Sequence, residues 1–210
     1  MRIPSPLREQ AKRVLPSTVV RRMRKIVNPA GIHWCRVVMS RECDAFVDRL
    51  DTRNLACLEI SGGGGRWENR EWRSYRTTEY PDYDICTEPL DGEWDVVIAE
   101  QVLEHVPDPQ RAVDNMYRML RPGGVLLITT PFMIKGHPSP YDFSRWTADG
   151  IRGLLARSGF SRMTVDSWGN RKCLIADMTD DNEWTFYRPG FHSLKNEPRF
   201  PIVVWAFAHK

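Results

Sequence analysis

The residues with the clearest capacity for chemistry are an acid, Glu59, and the glycine-rich turn that follows it. The run Leu55-Ala-Cys-Leu-Glu-Ile-Ser-Gly-Gly-Gly-Gly65 is mostly apolar up to Ile60 and then carries four consecutive glycines. An apolar run before clustered glycines predicts a buried strand that enters a tight loop. Because glycine has no Cβ, such a loop can take positive φ and lie flat against a ligand. The stretch predicts a nucleotide-binding loop, with an ordinary tight turn as the alternative.

The phosphate-binding patterns do not fit this loop. A P-loop requires Lys and then Ser or Thr after its last glycine, and this chain has Arg66 and Trp67 there. The dinucleotide pattern G-x-G-x-x-G fails in both registers, because Trp67 or Glu68 occupies the third glycine position. The spacing that does fit is an acid followed by alternate small residues: Glu59, Ser61, Gly63 and Gly65.

Further polar residues follow the predicted strands. Glu79 ends the β-branched and aromatic run from Ser74 to Tyr80, twenty residues after Glu59. A nucleotide-binding α/β fold places an acid at about this distance to accept both ribose hydroxyls. His105 and His137 come after the apolar runs 94–99 and 125–130, and ligands bind at the carboxyl edge of such sheets. A solvated carboxylate and a loop-bracing histidine are the alternatives.

The elements that must position these residues alternate between strand and helix. Asp108-Pro109 is a strong helix start, with a capping acid and a proline at the first helical position. Arg121-Pro-Gly-Gly124 ends that helix before the next apolar run, and Thr147 can cap another helix. Residues 202–208 form a last apolar run. This alternation predicts a single doubly wound α/β domain with a mostly parallel sheet.

The middle of the chain resembles a known family. Four parts of the chain are similar to the type 11 branch of class I S-adenosylmethionine (SAM) methyltransferases. They are Glu59 with its glycines, the run Trp94-Asp-Val-Val-Ile, the segment Gln101-Val-Leu-Glu-His-Val-Pro-Asp-Pro109 and the segment Met119-Leu-Arg-Pro-Gly-Gly-Val-Leu-Leu-Ile-Thr-Thr-Pro-Phe132. The segment His137-Pro-Ser-Pro-Tyr-Asp-Phe-Ser-Arg-Trp-Thr147 is similar to a subset of that branch found near glycosyltransferases. The resemblance spans roughly residues 55–165. Ser61 departs from it, since it stands at the family's first glycine.

The resemblance implies a Rossmann-like fold with a seven-stranded, mostly parallel sheet and an antiparallel last strand. It implies SAM as cofactor, which contains no phosphate. The ligand then needs close backbone approach and acceptors for its ribose diol and ammonium group. The implied cofactor-binding residues are Glu59, Ser61, Gly63, Gly65, Glu79, Asp84 and Glu100, with Asp84 and Ile85 at the adenine.

Methyl transfer to a hydroxyl needs a group that removes the acceptor's proton. We predict that His137 is the base, with Asp142 and His105 as further catalytic candidates, and that Arg145, Trp146, Trp184 and Tyr187 contact the acceptor. Ubiquinone-pathway O-methyltransferases, which resemble this branch, carry E-V-L-E-H, whose acids and histidine can hold Mg²⁺. Here Glu104 and His105 remain as metal candidates, while Gln101 replaces the first glutamate and Glu100 lies beside it.

Charge is distributed unevenly along the sequence. Residues 1–25 hold eight Lys or Arg against one acid, Glu9, although the whole chain carries only +3. We therefore predict a basic arm over 1–30 and a methyltransferase domain over 31–210, within which 182–201 is an acceptor-site or dimer loop. Five scattered cysteines without C-x-x-C favour a reducing, cytoplasmic location. No apolar run approaches a membrane span.

Three functions remain open at this point. The first is transfer of a methyl group from SAM to a small-molecule hydroxyl, most plausibly of a sugar or oligosaccharide, as in saccharide O-methyltransferases that act on mycobacterial mannose oligosaccharides. The second is nucleic-acid methylation, which the basic arm favours and the absence of N-P-P-[YF] and Pro-Cys motifs opposes. The third is a non-catalytic scaffold, which the Ser61 departure permits. A homodimer is a further expectation.

Overall fold

The computed structural model describes residues 31–62, 65–179 and 184–210, and at its centre is a sheet. The predicted basic arm, residues 1–30, lies outside this described part. The six strands are β1 (Ala56–Ile60), β2 (Ser74–Thr78), β3 (Trp94–Glu100), β4 (Leu120–Pro131), β5 (Arg162–Trp168) and β6 (Val203–His209). Their order in the sheet is β2-β1-β3-β4-β6-β5.

Four strands lie side by side and parallel in this sheet, with β2 at its edge. β1 pairs with β2 on one side and with β3 on the other, and β3 pairs with β4, all in parallel. β6 inserts between β4 and β5 and is antiparallel to both. The predicted mostly parallel sheet and its antiparallel last strand are confirmed.

The strand count differs from the family's seven. The described residues form six strands, and β2 is an edge strand. Only 15 residues separate Thr78 from Trp94. Because one parallel crossover needs about a dozen residues, this segment cannot supply a further parallel strand and two crossovers. The segment instead forms turns that pack on the core, where Ile85 is buried.

In the described part of the chain, four helices cover the sheet: α1 (Val37–Val47), α2 (Pro109–Met119), α3 (Ala148–Arg157) and α4 (Arg171–Thr179). The predicted caps are confirmed. Asp108 accepts a hydrogen bond from the backbone N of Arg111 at 3.0 Å, and Thr147 accepts one from the N of Gly150 at 3.0 Å. Within the described ranges, no helix combines the length and apolar character needed to cross a membrane.

Two apolar clusters form on opposite faces of the sheet. Alternate residues of a strand point to opposite faces, so β3 contributes Val97 and Ala99 to one cluster and Val96 and Ile98 to the other. The first cluster holds the buried faces of α2 and α3, and the second holds α1. With both faces covered, the central strands are fixed in register, and so are the loops at their carboxyl ends.

The segment 184–201 is tied to the body of the fold by hydrogen bonds. The indole of Trp34 donates to the carbonyl of Ser193 at 2.9 Å, and the indole of Trp168 donates to that of Leu194 at 2.9 Å. The N of Glu197 donates to the carbonyl of Gly169 at 2.7 Å. These bonds fix the segment against β5 and the start of α1.

The backbone of Phe200 and Ile202 passes close to Gly169, and this contact generates a stability prediction. A Cβ on Gly169 would lie 2.0 Å from the carbonyl oxygen of Phe200 and 2.6 Å from the N of Ile202, both of them backbone atoms. We expect Gly169→Ala to lower the free energy of unfolding by roughly 2–3 kcal/mol, because backbone must move to make room.

Gly153→Ala is the matched control for that change. Gly153 lies inside α3, and its new Cβ would meet only the flexible end of Arg157, at 3.6 Å. Since alanine favours a helix interior, we expect it to raise stability by about 0.5–1 kcal/mol. Denaturant unfolding measures both. Equal stabilities of the two variants would show that the Gly169 passage can relax.

Candidate active site

A cavity of about 420 Å³ opens at the carboxyl ends of β1, β2 and β3. Ser61 follows β1, Glu79 follows β2 and Gln101 follows β3, and all three line it. This is the edge at which open α/β sheets bind ligands. The other lining residues are Ile60, Tyr80, Tyr83, Asp84, Ile85, Val102, His105, Val106, Pro107, Ser139, Pro140, Tyr141 and Phe143.

Two residues at the cavity edge have a left-handed backbone. Ser61 has φ of 55° and Gln101 has φ of 58°, and both directly follow a central strand. This region is sparsely populated by residues with a Cβ, and such strain concentrates at ligand sites. The conformation of Ser61 also explains why a glycine suits this position in the family pattern. Ser61 thus takes the left-handed conformation although it has a Cβ.

Glu59 lies beneath the glycine loop and supports it. A Cβ on Gly62 would lie 2.4 Å from Cδ of Glu59, so the loop can close over the carboxylate only because residue 62 has no side chain. Glu59 is buried, the hydroxyl of Tyr75 donates a hydrogen bond to it, and burial raises its pKa. Gly65 has φ of 65°, whereas Gly63 lies outside the described residues.

Glu79 and Asp84 reach the cavity from the segment after β2. Asp84 accepts a hydrogen bond from the backbone N of Cys86 at 2.8 Å, which shapes the turn around it. The side-chain amide of Asn115 in α2 donates to the carbonyl of Ile85 at 2.7 Å and holds this turn against the core. The two acids predicted to bind the cofactor's ribose and adenine thus share one wall of the cavity.

Glu100 does not line the cavity. One of its carboxylate oxygens accepts from the guanidinium of Arg66 at 2.7 Å, and the other accepts from the indole of Trp67 at 2.9 Å. Trp67 is fully buried. These bonds tie the chain after the glycine loop to β3, and the place of Glu100 beside the cofactor stays a prediction.

A buried cluster of three ionisable side chains adjoins the cavity. Oε1 of Glu104 lies 3.7 Å from Nε2 of His105 and 3.9 Å from Nε2 of His137. The Glu104 side chain is 0% exposed, and neither of its carboxylate oxygens has a hydrogen-bond partner among the described residues. Burial raises the pKa of Glu104 to about 7. The sequence singled out all three residues but did not predict that they meet.

His105 is oriented by the segment that covers it. Glu104 and His105 belong to a 3-10 turn, Leu103–His105, directly after β3. Nδ1 of His105 lies 2.6 Å from the carbonyl oxygen of Tyr141. Since a carbonyl only accepts, Nδ1 carries the proton, and the lone pair of Nε2 faces the cluster. The N of Phe143 donates to the carbonyl of Glu104 at 2.7 Å and draws this segment over the turn.

His137 is half-buried beside this turn. Its backbone N donates to Oδ2 of Asp142 at 2.9 Å, while its ring nitrogen Nδ1 stays 3.9 Å from that oxygen. Arg145 donates to both oxygens of Asp142 and holds the pKa of that carboxyl well below its usual range. Burial, then the nearby His105, lowers the pKa of His137, so the ring is neutral at neutral pH. Asp142 and Arg145 therefore fix the backbone that presents His137.

A crevice of about 10 Å³, which has room for no more than one water molecule, lies near His137. Trp184 lines it, and its ring centroid is 5.8 Å from that of His137. Arg36, which precedes α1, also lines it and donates to the side-chain oxygen of Gln101 at 3.3 Å. The sequence did not identify Arg36 as a site residue, because only the fold brings the residues before α1 to the end of β3.

Two residues predicted to contact the acceptor lie elsewhere. Trp146 packs on the first apolar cluster, and its indole donates to the hydroxyl of Ser144 at 2.9 Å. Tyr187 packs on the second cluster, and its backbone N bonds the carbonyl of Ile32 at 2.9 Å. Neither lines a described cavity. Tyr141 and Phe143, which the sequence did not single out, line the larger one.

The residues here do not fit the Mg²⁺ site that the resemblance implies. Gln101, at the first glutamate position, donates from its amide to the hydroxyl of Thr129 at 3.1 Å, while its oxygen faces Arg36. Glu100 is engaged by Arg66 and Trp67. Only Glu104 offers free carboxylate oxygens, whereas Mg²⁺ prefers a shell made of oxygen ligands. Mg²⁺ therefore takes no part in the reaction that we propose for this chain.

The fold, the glycine loop and the carboxyl-edge cavity together define a class I SAM-dependent methyltransferase. A family model described as a methyltransferase domain matches residues 33–170, and the chain belongs to that family. SAM is the methyl donor of this class. The class predicted from the sequence is confirmed.

Relatives of known name agree with this assignment. A ubiquinone biosynthesis O-methyltransferase of Psychrobacter cryohalolentis is 41% identical over 66 residues, which are 31% of this chain and 24% of that protein. The chain thus matches about a quarter of the length of that relative. A SAM-dependent methyltransferase of Thermotoga maritima, described as a possible histamine N-methyltransferase, has a TM-score of 0.52 at 18% identity, covering 80% of this chain and 87% of that one. Phosphoethanolamine N-methyltransferase 2 of Haemonchus contortus in complex with SAM has a TM-score of 0.51 at 16% identity, covering 81% and 52%.

The position of Glu79 generates a binding prediction. Replacing Glu79 by Ala removes the charged acceptor of the ribose hydroxyls, a change worth on the order of 1.5–3 kcal/mol. We expect calorimetry to show SAM binding that is weaker by roughly ten- to hundredfold. Asp82→Ala is the control, since Asp82 is exposed and does not line the cavity. If Asp82→Ala weakens binding and Glu79→Ala does not, the ribose contact belongs to Asp82.

Proposed function

We propose that this protein transfers the methyl group of SAM to a hydroxyl of a small molecule. The observation that carries the proposal is the convergence of Glu104, His105 and His137 beside the carboxyl-edge cavity. A hydroxyl is a poor nucleophile until its proton is removed, and the imidazole of His137, whose pKa burial lowers, can take that proton beside the buried carboxyl of Glu104. The O-methyltransferase name of the sequence relatives points to the same type of acceptor atom.

The cavity divides into a cofactor part and an acceptor part. We place the nucleoside against Ser61, Glu79 and Asp84, where two carboxylates can accept from the ribose and the adenine amino group. We place the methionine end toward Gln101 and His105, so that the methyl group faces the cluster. Tyr141 and Phe143 cover this end and limit the access of water to the reacting atoms.

The reaction is an in-line displacement at the methyl carbon. The acceptor oxygen forms a bond to this carbon as its bond to the sulfonium sulfur breaks, and the electron pair of that bond stays on sulfur, giving S-adenosylhomocysteine. The acceptor's proton passes to Nε2 of His137, and the carboxylate of Glu104 stabilises the resulting imidazolium. The protein's main contribution is alignment of the reactants, since well-oriented reaction partners need little further help.

The acceptor class that we favour is a sugar or oligosaccharide. Aromatic rings stack on the apolar faces of sugars while charged groups take the hydroxyls. Trp184 and Arg36 offer this combination near His137, and Nζ of Lys135 lies 5.0 Å from the Trp184 ring centroid. An acceptor like that of the ubiquinone-pathway relatives is the second candidate, because those proteins supply the sequence match.

The proposed function is tested with labelled SAM and a panel of hydroxyl acceptors, both saccharides and aromatic alcohols. We expect label to enter one acceptor class and His137→Asn to lower turnover by ~10²–10⁴-fold with unchanged SAM affinity. His209→Asn is the control, since His209 lies at the end of β6, away from the cavity lining. Absence of SAM binding in the unmodified protein would favour a non-catalytic scaffold, and label entering only nucleic acid would refute a small-molecule acceptor.

Trp184 generates a prediction about the acceptor alone. Because Trp184 lies beside His137 and does not line the cofactor cavity, we expect Trp184→Ala to raise the KM for the acceptor at least tenfold while the affinity for SAM holds. Phe191→Ala is the matched control: Phe191 belongs to the same segment, but its side chain is 87% exposed. Equal effects of the two substitutions would show that the segment acts through its fold.

A further inference from the structure

We propose that Glu104, His105 and His137 form a binding site for a divalent transition-metal ion, for which Zn²⁺ is the best fit. The site belongs to the centre of the proposed function, on which its catalytic meaning rests. Metal binding itself is measurable whether or not methyl transfer occurs. The donor set of two imidazoles and one carboxylate differs from the oxygen-rich set that the resemblance implied.

The three side chains already have nearly the spacing of metal ligands. One ligand atom from each lies within 4.8 Å of the others. Oε1 of Glu104 is 3.7 Å from Nε2 of His105 and 3.9 Å from Nε2 of His137. A tetrahedral zinc site with bonds of about 2.0–2.2 Å separates its ligand atoms by roughly 3.4 Å. The two separations that involve Glu104 therefore need to shorten by only about 0.3–0.5 Å, and a rotation of the imidazole rings would bring the two histidine nitrogens together.

The carboxylate of Glu104 is the observation that calls for a ligand. Its side chain is 0% exposed, and neither oxygen has a hydrogen-bond donor among the described residues. Buried polar atoms are paired in nearly all proteins, and an unpaired buried carboxylate is far more unfavourable than an unpaired amide. A cation between Glu104 and the two histidines would provide the missing partner for the carboxylate.

The surroundings orient the histidines as metal ligands are oriented. The backbone carbonyl of Tyr141 accepts from Nδ1 of His105, which leaves the lone pair of Nε2 facing Glu104. Ligating histidines usually donate their second nitrogen to a carbonyl or a carboxylate in this way. Nδ1 of His137 has no hydrogen-bond partner among the described residues, and Oδ2 of Asp142 lies 3.9 Å away, where a small ring rotation would provide one.

The donor atoms of the cluster favour zinc over magnesium. Arg36 and Arg145 place positive charge near Glu104, although Arg145 is paired with Asp142. This charge opposes every divalent cation alike, so the choice of metal rests on the donors, which are two imidazole nitrogens and one carboxylate. Imidazole nitrogens bind zinc and its neighbours through softer donation, and two histidines with one carboxylate recur in catalytic zinc sites.

A bound metal changes the part that His137 plays. Nε2 of His137 cannot hold a metal and accept a proton at the same time. In the metal-loaded protein a Lewis acid would make the acceptor hydroxyl more acidic, and His137 would be a ligand. Loss of turnover in His137→Asn is expected by either route, so only a direct measurement of metal binding separates them.

The test uses the full chain without an affinity tag, freed of metal by chelation. Co²⁺ serves as the spectroscopic probe, Zn²⁺ as competitor and Mg²⁺ as the negative comparison, in the absence of SAM and acceptor. We expect one Co²⁺ per chain with visible d–d absorption, displacement by stoichiometric Zn²⁺, and no displacement by millimolar Mg²⁺. Glu104→Gln, His105→Asn and His137→Asn should each weaken Co²⁺ binding by at least ~100-fold, since removing even an outer-shell partner weakens binding by 10–100-fold.

Each outcome has a stated meaning. His209→Asn should bind Co²⁺ as the unmodified chain does, and circular dichroism and SAM titration of every variant report whether it is folded. The proposed site would be refuted by any of three results. These are the absence of the cobalt spectrum, Co²⁺ binding by the three cluster variants that is as tight as that of the unmodified chain, and thiolate bands from Cys86. Intact methyl transfer without metal would leave the proposed function standing with His137 as its base, whereas metal binding without methyl transfer would refute that function and leave the metal site standing.

Discussion

The parallel pairing of β1, β3 and β4 is the constraint on which the site depends. Parallel strands end at the same edge, and the register sets Glu59 beside Ile98 and Glu100 beside Thr129. The backbone then turns left-handed at Ser61 and Gln101, and these two turns open the cavity. Because both faces of the sheet are covered by apolar clusters, a slip of one residue would move every side chain of a central strand from one cluster to the other. The core thus fixes where the site's backbone lies.

The cluster of Glu104, His105 and His137 lowers the stability of the fold and supplies the reactive groups of the proposed function. A fully buried carboxylate without a hydrogen-bond donor among the described residues destabilises the folded chain unless something else satisfies it. Burial raises the pKa of Glu104 to about 7 and lowers that of His137, so burial disfavours the charged form of both groups. The same arrangement can pass a proton or hold a cation. Asp142 and Arg145 hold the backbone that places His137 in this cluster.

Local signals in the sequence predicted most of the fold. The capping residues Asp108 and Thr147, the buried runs and the carboxyl-edge histidines all followed from spacing within single elements. The described residues form six strands, one fewer than the resemblance implied, because the chain between β2 and β3 is too short for a further parallel strand. The meeting of His137 with Glu104 could not be predicted, since it depends on a hydrogen bond from Phe143 across the site. Glu100 and Tyr187 lie away from the cavity for the same kind of reason, as partners distant in sequence engage them.

A crystal structure with S-adenosylhomocysteine bound would test most directly whether the cavity and the cluster form one reaction centre. We predict that the nucleoside lies against Glu79 and Asp84 and that the thioether sulfur faces the cluster, with room for one acceptor oxygen in line between the sulfur and Nε2 of His137. A sulfur that points away from Glu104, His105 and His137, or a nucleoside bound outside the carboxyl edge of β1 and β3, would contradict the assignment of these residues to methyl transfer.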